Sequence, residues 1–223
     1  MKLSDVINFV YPRNIYCVCC NDMLPVGREH ALCDKCIEEM LWYSKNPFDA
    51  KINEFCFDKV LSLVNYDVHA QTIIHKLKFQ NKPYIAKPIG QLMGELYGEA
   101  GAYFVAVPMH KERQEERGYN QAELLAIYAS KACGSIFLKD ALLKIKPTVS
   151  MRSLTGDGRR QSIRDSIVVT PENKGKIKGK DLVLVDDVIT TGTTADICAS
   201  ALKKAGARSI TVLTFAAVDY KGK

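Results

Sequence analysis

Two adjacent aspartates, Asp186 and Asp187, follow the apolar run Leu182–Val185 and precede the turn Thr190-Thr191-Gly192-Thr193-Thr194. A continuous apolar run of this kind is expected of a central parallel strand. Two carboxylates at its end escape the cost of burial and can meet ligand hydroxyls or a hydrated cation. Successive strand residues point to opposite sides, so the pair need not share one role. Gly192 permits a positive φ and a close backbone approach. The threonine hydroxyls and turn amides then converge on one small concavity. Behind it "TADICASALKKAG" reads as a helix, with Thr193 as its cap and Asp196 three positions on. Lys203 and Lys204 fall in its last turn and Gly206 at its C-cap. A glycine-bearing turn at a helix N-terminus suits a phosphate dianion, and a phosphorylated sugar fits the whole layout. The plainer alternative is a threonine-rich turn that only caps a helix. The two exposed acids expected beside it weigh against that.

A second stretch with chemical content is "VPMHKERQEERGYNQAELLA", Val107 to Ala126. It reads as a proline-terminated strand, a polar turn carrying Arg113 and Arg117, and a helix capped by Asn120 with Glu123 as capping-box partner. Forked arginine donors suit a diphosphate. "KERQEER" by itself reads as a solvated charged loop.

Cys17-x-x-Cys20 and Cys33-x-x-Cys36 are two knuckles separated by twelve residues. Each aims two thiolates at one point, and two knuckles complete a tetrahedron that favours Zn2+. Four sulfurs leave no open position for water, so such a zinc is structural. Cys19 is a spare thiol within the first knuckle, and Cys56, Cys133 and Cys198 stand alone. A redox pair is the weaker alternative, because neither CxxC stands at a strand–helix junction.

The elements that must hold these groups are legible in outline. "VLSLVNY" (60–66) alternates as a strand, and "QTIIHKLKF" carries Ile73, Ile74 and Leu77 at helical spacing. Lys76 and Lys78 in that helix read as its exposed face, with a phosphate or nucleic-acid contact as the alternative. Ile89, Leu92, Met93, Leu96 and Tyr97 make a core-facing helical stripe. "YFVAVPMH", "LLKI", "SIVV", "LVLV" and "ITVLTFAAV" are further strands. Strands alternating with helices imply an α/β fold with a mainly parallel sheet, whose ligands bind beyond the carboxyl ends of the strands. His30, His69, His75 and His110 lack the spacing of a metal pair or a triad.

The chain has 223 residues, 47% hydrophobic and 25% charged, with a formal charge of +6. That composition excludes a mainly disordered chain, and the mild basicity suits anionic partners without choosing among them. "MKLSDVINFVYPRN" has no leader-peptide pattern, and no stretch approaches the roughly 18 apolar residues of a membrane span. A cytoplasmic protein without membrane insertion is expected.

The Asp186–Thr194 region closely resembles the thirteen-residue signature of the type I phosphoribosyltransferases. The resemblance implies that Asp186 and Asp187 hold the ribose hydroxyls of 5-phosphoribosyl-1-diphosphate (PRPP). It implies that Thr190, Thr191, Gly192, Thr193 and Thr194 hold the 5′-phosphate, with Mg2+ bridging the diphosphate. The Val107–Ala126 stretch resembles the competence protein F (ComF) family, with Tyr119 where that family has Phe. The family joins a cysteine-rich zinc module to a phosphoribosyltransferase domain. By that resemblance residues 1–57 form the zinc module, with Cys17, Cys20, Cys33 and Cys36 as ligands, and 58–223 the transferase-like domain. Val107, Pro108, Met109, His110 and Lys111 become the diphosphate loop, and Arg113, Arg117 and Asn120 its support. Arg152 to Ile167 falls where such enzymes carry a mobile hood, and Gly156 and Gly158 suit a flap. The resemblance also implies a place in natural transformation, with single-stranded DNA and competence proteins as partners. A non-catalytic nucleotide- or single-strand-binding factor is the alternative it leaves.

Overall fold

Leu182, Val183, Leu184 and Val185 are completely enclosed, and the strand they form is the middle of the sheet. The computed structural model describes residues 15–43, 48–145 and 166–218. The N-terminal stretch read for a leader and most of the expected hood, Arg152 to Asp165, lie outside the described residues. In chain order the elements begin with α1 (Asp34–Glu39), β1 (Lys59–Asn65), α2 (Val68–Phe79), α3 (Ala86–Tyr97) and β2 (Tyr103–Ala106). They continue with α4 (Lys111–Arg117), α5 (Gln121–Ala132), β3 (Ile136–Phe137), β4 (Leu142–Lys144) and β5 (Ile167–Val169). The last are α6 (Pro171–Ile177), β6 (Asp181–Ile189), α7 (Thr193–Lys204) and β7 (Ser209–Ala217). Among the described residues no helix is long and apolar enough to cross a membrane.

Among the described residues five strands form one parallel sheet in the order β1-β7-β6-β2-β3. After β6 the chain moves to β7, toward one edge, and after β2 it moves to β3, toward the other. The neighbouring strands β6 and β2 therefore flank a topological switch point, where α/β sheets leave a crevice beyond their carboxyl ends. Two of the expected strands are elsewhere: "LLKI" and "SIVV" supply β4 and β5, which pair antiparallel as a separate small sheet. Short apolar runs announce a strand but not its partner.

One face of the sheet is covered by α2, α3 and α5, through Ile73, Leu77, Ile89, Met93 and Leu125. The other is covered by α7 and α6, through Cys198, Leu202 and Ile177. The helical stripe on α3 is only partly inward, since Leu96 is 41% exposed. The tighter contact comes from Gly90 and Gly94. A Cβ on Gly94 would overlap the Ala129 carbonyl, and one on Gly90 would lie 2.7 Å from Tyr128 Cβ. These glycines let α3 and α5 cross in close contact, a signal that hydrophobic spacing does not carry.

Candidate active site and metal centre

The Sγ atoms of Cys17, Cys20, Cys33 and Cys36 all lie within 4.8 Å of one another. Backbone amides converge on them as well. Cys33 N donates to Cys17 Sγ at 3.4 Å, Asp22 N to Cys20 Sγ at 3.5 Å, and Cys36 N to Cys33 Sγ at 3.4 Å. Asn21 takes a left-handed conformation, φ 71°, to close the first knuckle. Burial pushes the Cys17 thiol up, but the backbone N–H groups of Cys33, Cys20 and Cys19 outweigh it and bring the group down to about 7. Cys20 is pushed up to about 11, first by burial and also by its sulfur neighbours. Four crowded sulfurs thus resist full ionisation on their own. A bound cation would reverse that, and the donor set fits a closed, tetrahedral structural metal. Cys19 is not one of the four: it is buried, its Sγ donates to the His69 carbonyl at 3.9 Å, and it also meets the side chain of Cys36.

The knuckles are fastened to α2. Lys76 Nζ donates to the carbonyls of Val18 at 3.2 Å and Cys19 at 2.5 Å. Val18, Leu24, Leu32 and Met40 share one buried cluster with Ile73 and Leu77. Lys76 is therefore not the free surface cation expected of it.

At the switch point β2 ends where Val107 N donates to Val185 O at 2.9 Å. Asn120 caps α5 as expected, accepting from Ala122 N at 3.1 Å, and its Nδ2 donates to Val107 O at 3.0 Å. Pro108, Met109 and His110 follow, half-buried. The polar turn expected after them is instead the short helix α4, stopped by Gly118 at φ 82°.

The acids do not stand at the end of their strand. β6 continues through Asp186 and Asp187 to Ile189, paired on one side with β7. On the other side β2 has already ended, so the pair borders the crevice from within the sheet. Nor are both exposed: Asp187 is only 3% exposed. It forms an ion pair with Lys78 Nζ and accepts from Gln121 Nε2 at 3.3 Å. Gln121 Oε1 in turn accepts from Arg117 Nη1 at 2.5 Å, and the Arg117 guanidinium lies 5.5 Å from the Phe79 ring centre. Asp186 belongs to the opposite face, the one covered by α7. Burial, and then the charge of Asp187, hold its carboxyl well above the ordinary range. In the direction it influences Cys198: burial first, then Asp186, pushes that thiol up.

The cap of α7 also differs from expectation. Gly192, at φ 78°, occupies the N-cap position and Thr193 is the first helical residue. The Thr191 and Thr193 hydroxyls bond each other at 2.9 Å.

These parts enclose an open cleft of about 670 Å3. Of the residues singled out in sequence, it brings together Val107, Pro108, Met109, His110, Arg113, Arg117, Asp186, Asp187, Thr190 and Thr194. Lys111 is outside, paired with Glu115 at 3.7 Å, and Thr191, Gly192 and Thr193 do not line the cavity. Lys78, Phe79, Gln121, Lys144 and Tyr66 also line it; sequence reasoning missed the part of the last four and kept a ligand contact for Lys78 only as the alternative. For Lys78 a signal existed. It neighbours the core residue Leu77, and adjacent helical positions lie only about 100° apart, so it sits at a boundary and not on the far face.

The chain is similar to several known proteins. The model of the phosphoribosyl transferase domain matches residues 131–222, a span that holds Asp186, Asp187 and the threonine turn. The chain is 28% identical to competence protein F of Haemophilus influenzae, over 81% of this chain and 82% of that protein. It is 24% identical to the DNA utilization protein YhgH of Escherichia coli O157:H7, over 85% of this chain and 79% of that protein. Among solved structures, the allosteric regulatory enzyme of purine biosynthesis aligns at 23% identity with a TM-score of 0.41, over 60% of this chain and a quarter of its own. The chain is thus a homologue of the competence protein F and YhgH proteins, with a phosphoribosyl transferase domain in its C-terminal part and a four-cysteine cluster near its start.

Proposed function

We propose that the cleft binds PRPP and that the protein displaces diphosphate from its C1 carbon, in the service of DNA uptake. The observation that carries this reading is the convergence of three elements on one switch-point cavity: the acid pair, the Val107–His110 loop and the threonine turn. The names of the relatives, a competence protein and a DNA utilization protein, support the link to incoming DNA.

In this reading Thr190, Thr194 and the amides at the start of α7 anchor the 5′-phosphate. Asp186 and Asp187 accept the ribose hydroxyls, each from its own face of β6. The loop after β2 and the guanidinium groups of Arg113 and Arg117 receive the diphosphate. Mg2+ travelling with the substrate supplies further positive charge to the leaving group. The protein's own share is position and preorganised charge, which favour a transition state that builds charge at C1 and on the leaving oxygen. The cysteine cluster is a structural Zn2+ site. Calorimetry with PRPP and Mg2+ tests the assignment. Wild type should bind, and the double variant Asp186→Ala/Asp187→Ala should not. A folded wild type that takes no PRPP removes the reading.

A second reading is favoured by one observation. Phe79 is 69% exposed at the cleft mouth beneath Arg117, and a second depression of about 810 Å3 continues past Lys78, Arg113 and Arg117. An exposed ring beside Lys78, Arg113 and Arg117 suits a nucleobase and its phosphates, with Glu115 and Glu116 lining the same depression. Single-strand binding that weakens with salt and survives the Asp186/Asp187 double variant would support it.

A further inference from the structure

We infer that Lys78 is an anion-binding residue of the cleft: it stays tethered to Asp187 while offering its remaining donors to the diphosphate of the ligand. The inference rests on the PRPP reading above and assigns a group that reading left out.

The backbone beneath Lys78 is fixed. Leu77 is buried in the core, and Lys76 bonds to the Val18 and Cys19 carbonyls. The end of α2 is thus held on both sides, and only the four-carbon stem of Lys78 is free to adjust. That stem brings the ammonium to the cleft wall, where it pairs with Asp187. The Lys78 side chain keeps 23% exposure while its partner carboxylate keeps 4%. One end of the pair is therefore enclosed and the other still faces the cavity.

The donor arithmetic leaves capacity on both sides. An ammonium has three donors, and among the described residues Lys78 makes one ion pair, to Asp187. A carboxylate has about four acceptor positions, and Asp187 uses one on Lys78 and one on Gln121. Asp187 can accept a ribose hydroxyl without releasing Lys78. Lys78 can reach a phosphoryl oxygen without releasing Asp187. Arg113, Arg117 and Lys144 line the same cavity along with Glu112, Asp186 and Asp187, so Lys78 joins a cationic set that can meet an anion there. The competing account gives Lys78 only the task of neutralising a buried carboxylate.

The two accounts differ in which ligand suffers. Binding of PRPP and of ribose 5-phosphate, both with Mg2+, is measured by calorimetry for wild type, Lys78→Gln and Lys78→Arg, with thermal melts as the check on folding. The expected result is a loss of about 10- to 100-fold in PRPP affinity for Lys78→Gln, with ribose 5-phosphate within about 3-fold of wild type. Equal losses for both ligands overturn the inference in favour of a mere counter-ion, and no loss for either overturns it outright. If Lys78→Gln fails to fold, Lys78→Arg decides. It keeps Asp187 paired, so a changed ratio of the two affinities supports diphosphate contact and an unchanged ratio refutes it. Wild type binding neither ligand is a different result, which takes down the PRPP reading and this inference with it.

Discussion

The backbone N–H of Cys56 donates a 2.7 Å hydrogen bond to Oδ1 of Asp196, across 140 residues of sequence. Asp196 is thus drawn away from the capping role that its spacing from Thr193 suggests. Beside this bond a Cβ on Gly192 would lie 3.0 Å from Phe48 Cε1 and 3.1 Å from Phe55 Cε1. Phe55 stacks on Phe57 with ring centres 4.6 Å apart, and Phe48 meets Phe55 edge-on at 5.7 Å. The stretch 48–57 therefore backs the threonine turn from behind, while Thr190 and Thr194 face the cleft from the front. Gly192 is required by the protein's own aromatic wall as well as by its positive φ.

Gly192→Ala should accordingly cost about 1 to 3 kcal/mol, from a left-handed alanine pressed against two rings. For a chain of this size that lowers the melting temperature by several degrees. Asp196→Asn keeps the shape but weakens the bond to Cys56 N, and should cost less. Both should weaken phosphate anchoring before they disturb the metal cluster. Thermal melts with PRPP titration check this, and a Gly192→Ala protein as stable as wild type would mean that the aromatic wall yields freely.

The metal site makes a sharper prediction. Cys20→Ser should abolish stoichiometric zinc, whereas Cys19→Ala should retain about one zinc per chain, because Cys19 is not one of the four clustered sulfurs and its thiol donates to His69 O. Chelation of wild type should lower the melting temperature, since Val18, Leu24 and Leu32 share a core with α2. Elemental analysis of the three proteins after gel filtration decides it. Zinc lost equally from both variants would place Cys19 among the ligands.

The sequence carried the parts of this molecule whose signals are local. A continuous apolar run marked β6, Asn120 marked the start of α5, and two CxxC pairs marked a four-sulfur cluster. What it did not carry were relations between distant segments. Both Lys76 and Lys78 flank Leu77, so their boundary position does not tell that one meets the first knuckle and the other Asp187, and nothing local says that Gln121 reaches back to Asp187. The full exposure expected of the pair failed for the same reason: Asp187 is buried against Lys78, while Asp186 keeps only intermediate exposure. A charge at a strand end looks exposed until the partner that allows its burial is known. The β4–β5 pairing was hidden too, because a three-residue apolar strand does not name its neighbour.

Asp186 allows a test by pH. Its carboxyl is held above the ordinary value of 3.8, first by burial and then by the adjacent Asp187 charge. The native state therefore binds this proton more tightly than the unfolded chain. Its contribution to stability is complete below 3.8 and is lost as pH rises through the raised native value. At pH ~7.5 this raised carboxyl therefore costs the fold stability, as active-site groups commonly do. Asp186→Asn should therefore raise stability there by about 1 kcal/mol, a few degrees in melting temperature, while abolishing PRPP binding. The advantage should shrink as the pH is lowered toward 4. A difference that is absent at neutral pH, or grows on acidification, would show that Asp186 is not strained in the fold.

Lys76 separates the two ends of α2. Its ammonium makes charge-assisted bonds to two carbonyls of the first knuckle, and Lys78, two residues on, faces the cleft. Lys76→Met keeps the aliphatic stem against the core but leaves those carbonyls unbonded, at a cost of about 1.5 to 3 kcal/mol. The loss should be local. Hydrogen exchange should accelerate across residues 15–40 and zinc should be released faster to a chelator. PRPP affinity should fall much less than in Lys78→Gln, because α2 remains pinned through Ile73, Ile74 and Leu77. If Lys76→Met instead loses PRPP as severely as Lys78→Gln does, the knuckle holds the cleft wall in place, and the two sites are mechanically one.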